Sequence, residues 1–465
     1  MKRITDDWRL LVFLGVLAVL VKIPTIGTPA FWDEGSWLGQ AGWLAQNGLS
    51  TALPGLRPDG QFFGHPPGLH FAAAVLFRVF GPSIEVAHAL IALLGAVGVC
   101  ATYALVRTAH DARTALLAAL LLLLSPTWFS NAGVFLADLP VAALGVLSAV
   151  LVMRGRLLAY CVVASAMVLL KEPAVALVAA LVVFRLLRRR PVSRASWRDA
   201  LPYAAPLLVF IAFITAQKIA SGRFFFILAF EADPLLDTGI AATLRDAAKI
   251  TGWLFVAQFR WVLTLAIAID LALNREARRR PELLLCGLVV LGSGYTFSVI
   301  FYMSRYVLPV FPFFYALGAV SLMSLARTPL RQQATGAVAV ALTLWCLARD
   351  PLRGHGEDNM RYLGIVRAHQ AAVVEIESRF GGARILSAWP VAAELSDPLL
   401  GYVDRPLPVK WFAGAADLGE ADLAVVASPA NPDAARLEAL LVDAGWVPVV
   451  THRSGRAAIN AYPRR

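Results

Sequence analysis

Asp33 and Glu34 stand side by side in FWDEGSWLGQ, a few residues after a long apolar run. A carboxylate there can act as a general base, removing a proton from an acceptor hydroxyl or amine. Both also suit the start of the helix that runs on through Trp37 and Trp43, because negative charge favours helix N-termini. In FFGHPPGLHF, Pro66 and Pro67 pre-set a first helical turn, which has no use for their missing amide hydrogens. His65 then stands beside free backbone N–H groups that welcome an anion, or merely caps that turn. Asp138 opens an apolar helix in NAGVFLADLPVAAL, Lys171 and Glu172 separate two apolar runs in LLKEPAVAL, and Arg305 begins the aromatic-rich FYMSRYVLPVFPFFYALGAV. Lys171 and Glu172 can neutralise each other. Arg305 can snorkel to headgroups or grip a phosphate through its planar fork. The aromatic stretch SGRFFFILAF reads as an interfacial anchor.

The elements that position these groups belong in a bilayer. Hydrophobic residues make up 58% of the 465-residue chain and charged ones 16%, whereas soluble domains are about 45–50% apolar and about a quarter charged. Apolar runs centre on residues 10–22, 84–106, 114–128, 139–153, 158–170, 174–187, 203–219, 250–273, 283–300, 306–325 and 335–347. They predict an α-helical polytopic membrane protein with about eleven transmembrane helices plus juxtamembrane helices. The first run, behind Lys2 and Arg3, is expected to be a retained helix, since no clean cleavage pattern follows it. Cys100, Cys161, Cys286 and Cys346 all fall in or at the ends of apolar runs. They read as small buried side chains, not as a metal or redox set.

Net charge is +11, which in a soluble protein would suggest nucleic acid. Residues 353–465 carry 12 Lys/Arg against 13 Asp/Glu, so the positive excess lies in the first 352 residues. It is concentrated at 107–113, 154–156, 185–198, 275–280 and 327–331, between apolar runs. Short basic loops mark the cytoplasmic side, and no nucleic-acid partner is needed to explain them. With a cytoplasmic N-terminus, all five runs fall on that side only if residues 66–80 do not cross. At about 15 residues that stretch is short for a span, and it is expected to be juxtamembrane. The outer side then collects Asp33, Glu34, His65, Asp138, Lys171, Glu172, the loop 221–249 and Arg305. Ionisable groups at a membrane edge mark functional sites, so the chemistry is expected outside.

A change of character near residue 353 divides the chain. Residues 1–352 are expected to form the membrane domain, with outer loop 24–83 carrying the acidic motif. Residues 353–465 are expected to form a small α/β domain, extracytoplasmic by the same parity. There ARILSAW, DLAVVAS and WVPVVTH read as short strands, and NPDAARLEALLVDAGW reads as a helix capped by Asn431 and ended by Gly445.

The order of these features resembles the GT-C superfamily of membrane glycosyltransferases. A carboxylate pair follows the first helix, then HPP, a later acidic residue, a lysine after the fifth run, and RYVLPVFP. The chain is most similar to the glycosyltransferase-39-like branch, with dolichyl-phosphate-mannose–protein mannosyltransferases and the bacterial aminoarabinose transferase of lipid A. The likeness covers roughly residues 1–350 and is most specific in FWDEGSWLGQAGWLAQNG, FFGHPPGLHFAAAVLFRVFG and SRYVLPVFPFFYALGAV.

This resemblance implies a GT-C fold, a polyprenyl-phosphate sugar donor and inverting transfer on the outer face of the cytoplasmic membrane. The acceptor stays open between lipid, glycan and protein. By matching position, Asp33 is the implied catalytic base, Glu34 its acidic neighbour and Asp138 the second acidic position. His65, Lys171, Arg305 and Tyr306 are the implied substrate-binding residues, although Glu172 after Lys171 departs from the pattern. The assignments make chemical sense: the acceptor must lose a proton, whereas the leaving phosphate needs cations rather than an acid. Some members of the superfamily use a divalent ion, for which Asp33, Glu34 and Asp138 offer hard oxygen ligands. No ligand spacing argues for one, and none is expected to be required.

Two other classes stay open. A transporter or flippase of a polyprenyl-linked or amphipathic substrate would show internal repeats and helices broken in mid-membrane. Neither is visible in the sequence. A non-catalytic assembly protein working through its tail would leave Asp33, His65, Asp138 and Arg305 without a shared purpose.

Overall fold

The computed structural model describes residues 7–54, 64–188, 192–222, 239–296, 303–349, 356–428 and 431–464. The expected anchor SGRFFFILAF, from Arg223 onward, lies outside the described residues, as do Lys2 and Arg3. Two compact units emerge. Met1–Ile23, Asn47–Ala72 and Ala89–Asn359 form the first; Pro24–Gln46, Ala73–His88 and Met360–Arg465 form the second.

The first unit is helical. Ala174–Arg188 packs on Pro281–Gly294, Asp138–Met153 on Leu157–Val168, and Phe311–Leu325 on both Ala112–Leu124 and Arg260–Leu273. Small residues allow close approach: a Cβ at Gly98 would stand 2.6 Å from the Trp128 ring.

Fewer helices than the eleven apolar runs are clearly long enough to cross a bilayer. Among the described residues, Trp8–Thr25, Ile84–Arg107, Arg194–Ser221 and Ser304–Leu325 qualify by length and composition. Ile240–Phe255 and Arg260–Leu273 add a fifth if counted as one bent span. Interruptions explain part of the difference. The run over 114–128 stops at Leu124, where Ser125 is extended (ψ 126°) and Pro126 opens the short helix Pro126–Asn131. A residue before proline avoids the helical region.

The run over 250–273 bends by 86°. Its turn holds Gln258 (φ 52°) and Phe259 (φ 62°), both left-handed. No glycine or proline stands at that turn, so the expectation of an unbroken helix, and of no broken helix in the chain, is corrected. Residues 240–249, expected within an outer loop, belong to helix Ile240–Phe255. Residues 66–80 yield the 13-residue helix Gly68–Phe80. Its length of about 20 Å falls short of a hydrocarbon core of about 30 Å.

The second unit holds a mixed sheet. Ile385–Ser387 (β1), Val409–Trp411 (β2), Leu423–Ser428 (β3), Val450–Ser454 (β4) and Ala457–Pro463 (β5) pair in the order β2-β1-β3-β5-β4. The first three are mutually parallel, and β5 runs antiparallel to β3 and β4. The sequence reading finds β1, β3 and β4, although β4 starts at Val450, beyond Pro448, which has no N–H for a ladder. It does not find β2 or β5. Helix Pro432–Asp443 has its predicted cap: the Asn431 side chain accepts from the Ala434 N–H at 2.8 Å. Its Leu437 and Leu441 join Leu386 and Val426 in the core of this sheet.

Candidate active site

Three charges meet inside the first unit. Asp138 is the first residue of Asp138–Met153, where a carboxylate faces the positive end of a helix. Lys171 lies in the short link between Leu157–Val168 and Ala174–Arg188, and Arg305 in the 3-10 segment Ser304–Val310 that leads into Phe311–Leu325. Lys171 Nζ donates to Asp138 Oδ1 at 2.7 Å, and Arg305 Nε lies 3.4 Å from Asp138 Oδ2. Asp138, Lys171 and Arg305 are only 3%, 4% and 6% exposed. Tyr306 turns its ring toward Lys171 Nζ, 4.3 Å from the centroid, and also toward the Arg305 guanidinium. The negative face of the ring favours both cations.

Lys171 and Glu172 do not neutralise each other; each takes a different partner. Glu172 Oε2 lies 2.8 Å from His65 Nδ1. A close backbone approach brings that pair together. The Gly68 N–H donates to the Leu169 carbonyl at 2.8 Å, and a Cβ at Gly68 would lie 2.4 Å from that oxygen. The Pro66–Pro67 turn therefore delivers His65 to the same link that carries Lys171.

Glu357 completes this cluster and escapes the sequence reading. Its carboxylate accepts from Arg305 Nη1. Its backbone carbonyl accepts from Asn131 Nδ2 at 3.0 Å and from the Ser130 hydroxyl. The Ser304 hydroxyl donates to the neighbouring Asp358 carboxylate, and Gln258 Nε2 donates to the Asp358 carbonyl at 3.1 Å. Thr127 and Arg260 both donate to Gln258 Oε1, at 3.0 and 2.9 Å. The left-handed turn at the helix break thus becomes an anchor for the Glu357–Asp358 segment. A usable signal was GEDN, an acidic pair just past the last apolar run, as Asp33–Glu34 lies just past the first.

In the second unit, Asp33 and Glu34 open helix Asp33–Asn47. Glu34 is 1% exposed. Its Oε2 accepts the Phe31 N–H at 2.9 Å, and its Oε1 lies 2.6 Å from His88 Nε2. His88 Nδ1 lies 2.8 Å from the Ile26 carbonyl, which can only accept, so Nδ1 carries a proton. One further proton must then sit between Nε2 and Glu34. Asp33 is half-buried. It follows Trp32, held in the left-handed region at φ 49°, a conformation that persists only where the surroundings enforce it. His88 carries no sequence signal, because a lone histidine in the apolar helix Ile84–Arg107 reads as core.

Residues 64–217 match the family model for dolichyl-phosphate-mannose-protein mannosyltransferase. The fold matches ArnT from Cupriavidus metallidurans bound to undecaprenyl phosphate, with a TM-score of 0.64 at 16% identity, over 99% of this chain and 98% of that one. The chain is therefore similar to ArnT in fold, and residues 64–217 are similar to the mannosyltransferase family in sequence. The oligosaccharyltransferase of Archaeoglobus fulgidus in complex with Zn and sulfate shares the fold more distantly. There the TM-score is 0.52 at 14% identity, over 86% of this chain and 62% of that one. No curated protein matches this chain by sequence.

The family-matched stretch contains His65, Asp138 and Lys171; Asp33 and Arg305 lie outside it. Among the described residues no group of three or more His, Cys, Asp or Glu side chains gathers as a metal site requires. Glu34 has both oxygens engaged, and Asp138 faces two cations.

Proposed function

We propose that the enzyme transfers a sugar from a polyprenyl-phosphate donor to a lipid, glycan or protein acceptor, by a single inverting displacement outside the cytoplasmic membrane. The observation that carries this reading is the buried Asp138–Lys171–Arg305 cluster, two cations on one carboxylate at the entrances of three helices. A protein of the same fold bound to undecaprenyl phosphate supports the choice of donor. In the reaction, an acceptor oxygen or nitrogen bonds to the anomeric carbon while the bond from that carbon to the phosphate oxygen breaks. The phosphate leaves with the electron pair, and the acceptor proton passes to Asp33. Lys171, Arg305 and His65 stabilise the leaving phosphate, with Asp138 and Tyr306 orienting the cations. Glu34, already engaged at both oxygens, holds the helix start rather than taking the proton. Glu357 neutralises Arg305 in the donor-free enzyme and yields it to the phosphate.

The short apolar helices Ala112–Leu124, Asp138–Met153, Leu157–Val168 and Pro281–Gly294 also fall short of a full span by themselves. They approach the expected count of about eleven only together with the segments that continue them, as Pro126–Asn131 continues Ala112–Leu124. Their basic loops face the cytoplasm, and the C-terminal domain lies outside.

The test is transfer of radiolabelled sugar in membranes containing the parent or Asp33→Asn at matched expression. Asp33→Asn should transfer about 10²–10⁴-fold more slowly while still binding undecaprenyl phosphate. Parental transfer by the variant would remove Asp33 as base and turn attention to Glu34 or Asp138. The bent pair Ile240–Phe255 and Arg260–Leu273 is the one observation that favours a transporter. Movement of labelled lipid across reconstituted vesicles with no sugar transfer would establish that reading instead.

A further inference from the structure

Ala30, three residues before Asp33, is held at both its donor and its acceptor by the far end of the chain. Its N–H donates to the Leu400 carbonyl at 2.9 Å, and its carbonyl accepts from the Tyr402 hydroxyl at 2.9 Å. The contact continues on either side. Gly401, left-handed at φ 80°, brings its backbone against Pro29, where an added Cβ would stand 3.3 Å from the Pro29 Cα. The Phe31 ring lies 5.3 Å from that of Tyr362. Leu400 and Trp389 cover Gly35, and Leu399 covers Gly42.

This grip falls where the acidic motif needs it. The Phe31 N–H must reach Glu34 Oε2, and Trp32 must stay left-handed, for the helix to begin at Asp33. Tyr402 is buried. Burial first, then the Glu394 and Glu34 carboxylates, raise its phenol well above the ordinary value. The hydroxyl therefore remains a donor throughout the working pH range.

We propose that the C-terminal domain braces the catalytic loop, and that Tyr402 is a positioning residue that fixes Asp33 through Ala30. The inference rests on the reading of Asp33 as the base. Its consequence is a defect in turnover rather than in donor capture, because misplacing a reacting group by about 1 Å can cost about 10²-fold in rate.

The experiment uses the full-length enzyme and the radiolabelled polyprenyl-phosphate-sugar fraction of membranes, quantified by its phosphate. Turnover is expressed per undecaprenyl-phosphate binding site, so that misfolded molecules drop out of the comparison. Tyr402→Phe should lower kcat by at least about tenfold and leave the donor KM unchanged. Gly401→Ala presses on Pro29 without removing the hydroxyl, and it should show the same kcat-only loss. Parental kcat per site in both variants overturns the brace, as does a loss confined to KM. Asp33→Asn, run alongside, separates the two ideas. An active Asp33→Asn overturns the base assignment and the brace with it; an inactive Asp33→Asn with fully active Tyr402→Phe and Gly401→Ala overturns the brace alone.

Discussion

Asp33 and Glu34 are adjacent and chemically alike, but Glu34 is committed at both oxygens, to the Phe31 N–H and to His88. Glu34→Gln keeps the shape but replaces the carboxyl that shares a proton with His88 Nε2. It should lower stability by about 1.5–3 kcal/mol, seen as an earlier thermal transition in detergent, with turnover per folded molecule largely kept. A turnover loss without that shift would make Glu34 the base. Arg305 is matched to its site by shape as well as charge, since its fork faces both Asp138 and Glu357. Arg305→Lys keeps the charge and loses the fork, so displacement assays should show undecaprenyl phosphate bound about tenfold more weakly. Equal affinity would mean that charge alone acts there. Asp138, Lys171 and Arg305 were legible because an ionised group in apolar sequence is expensive and conspicuous. Their partners were not: Lys171 passes over its neighbour Glu172 for Asp138, a choice made by backbone geometry and not by spacing.

Helix existence was far easier to read than helix continuity. Every apolar run named from the sequence contains helix, yet Pro126 cuts one, and the left-handed pair Gln258–Phe259 cuts another. Proline signals its break through the chain itself. Gln258 does so through side-chain partners, Thr127 and the Asp358 carbonyl far away in sequence and Arg260 close by. Gly68 shows the same dependence at the site's edge. The backbone of Leu169 approaches so closely that Gly68→Ala places a Cβ 2.4 Å from a carbonyl oxygen. Such overpacking costs about 1–3 kcal/mol. Because neither neighbour is a flexible side-chain tip, the Pro66–Pro67 turn must move away and carry His65 off Glu172. The expected outcome is a lower melting temperature together with a raised donor KM. A change in stability alone would detach His65 from donor binding.

At the scale of the molecule, the sheet domain and the acidic-motif segment Pro24–Gln46 belong to one compact unit, so loss of order in the sheet should reach Asp33. The pH limits of that order follow from three groups. Lys410 and the Ala413 and Gly414 N–H groups hold Asp417 down to about 2, from an ordinary 3.8. Arg384, by side chain and backbone, does the same for Asp422, also to about 2. Depressed carboxylates contribute stability above their unfolded value and lose it as pH falls through the folded one. This acid loss therefore begins near 3.8 and is complete near 2. His369 behaves in the opposite sense. Burial alone would lower it, but the Glu394 carboxylate, 2.8 Å away, raises it above 6.5 by charge and hydrogen bond. A raised imidazole contributes fully below its unfolded value, and that contribution disappears as pH rises through the folded one. Hydrogen exchange in the full-length protein, corrected for intrinsic rates, should therefore show β1 and β3 best protected between about 4 and 6.5. In His369→Gln the decline above 6.5 should vanish while the acid loss remains. If protection in the parent stays flat from 6.5 upward, the His369–Glu394 pair contributes nothing to holding the brace. Turnover supplies the second reading: where protection of β1 and β3 is lost, kcat should fall with it, because the strand ends lead back to Leu400, Tyr402 and the Ala30 peptide that they hold.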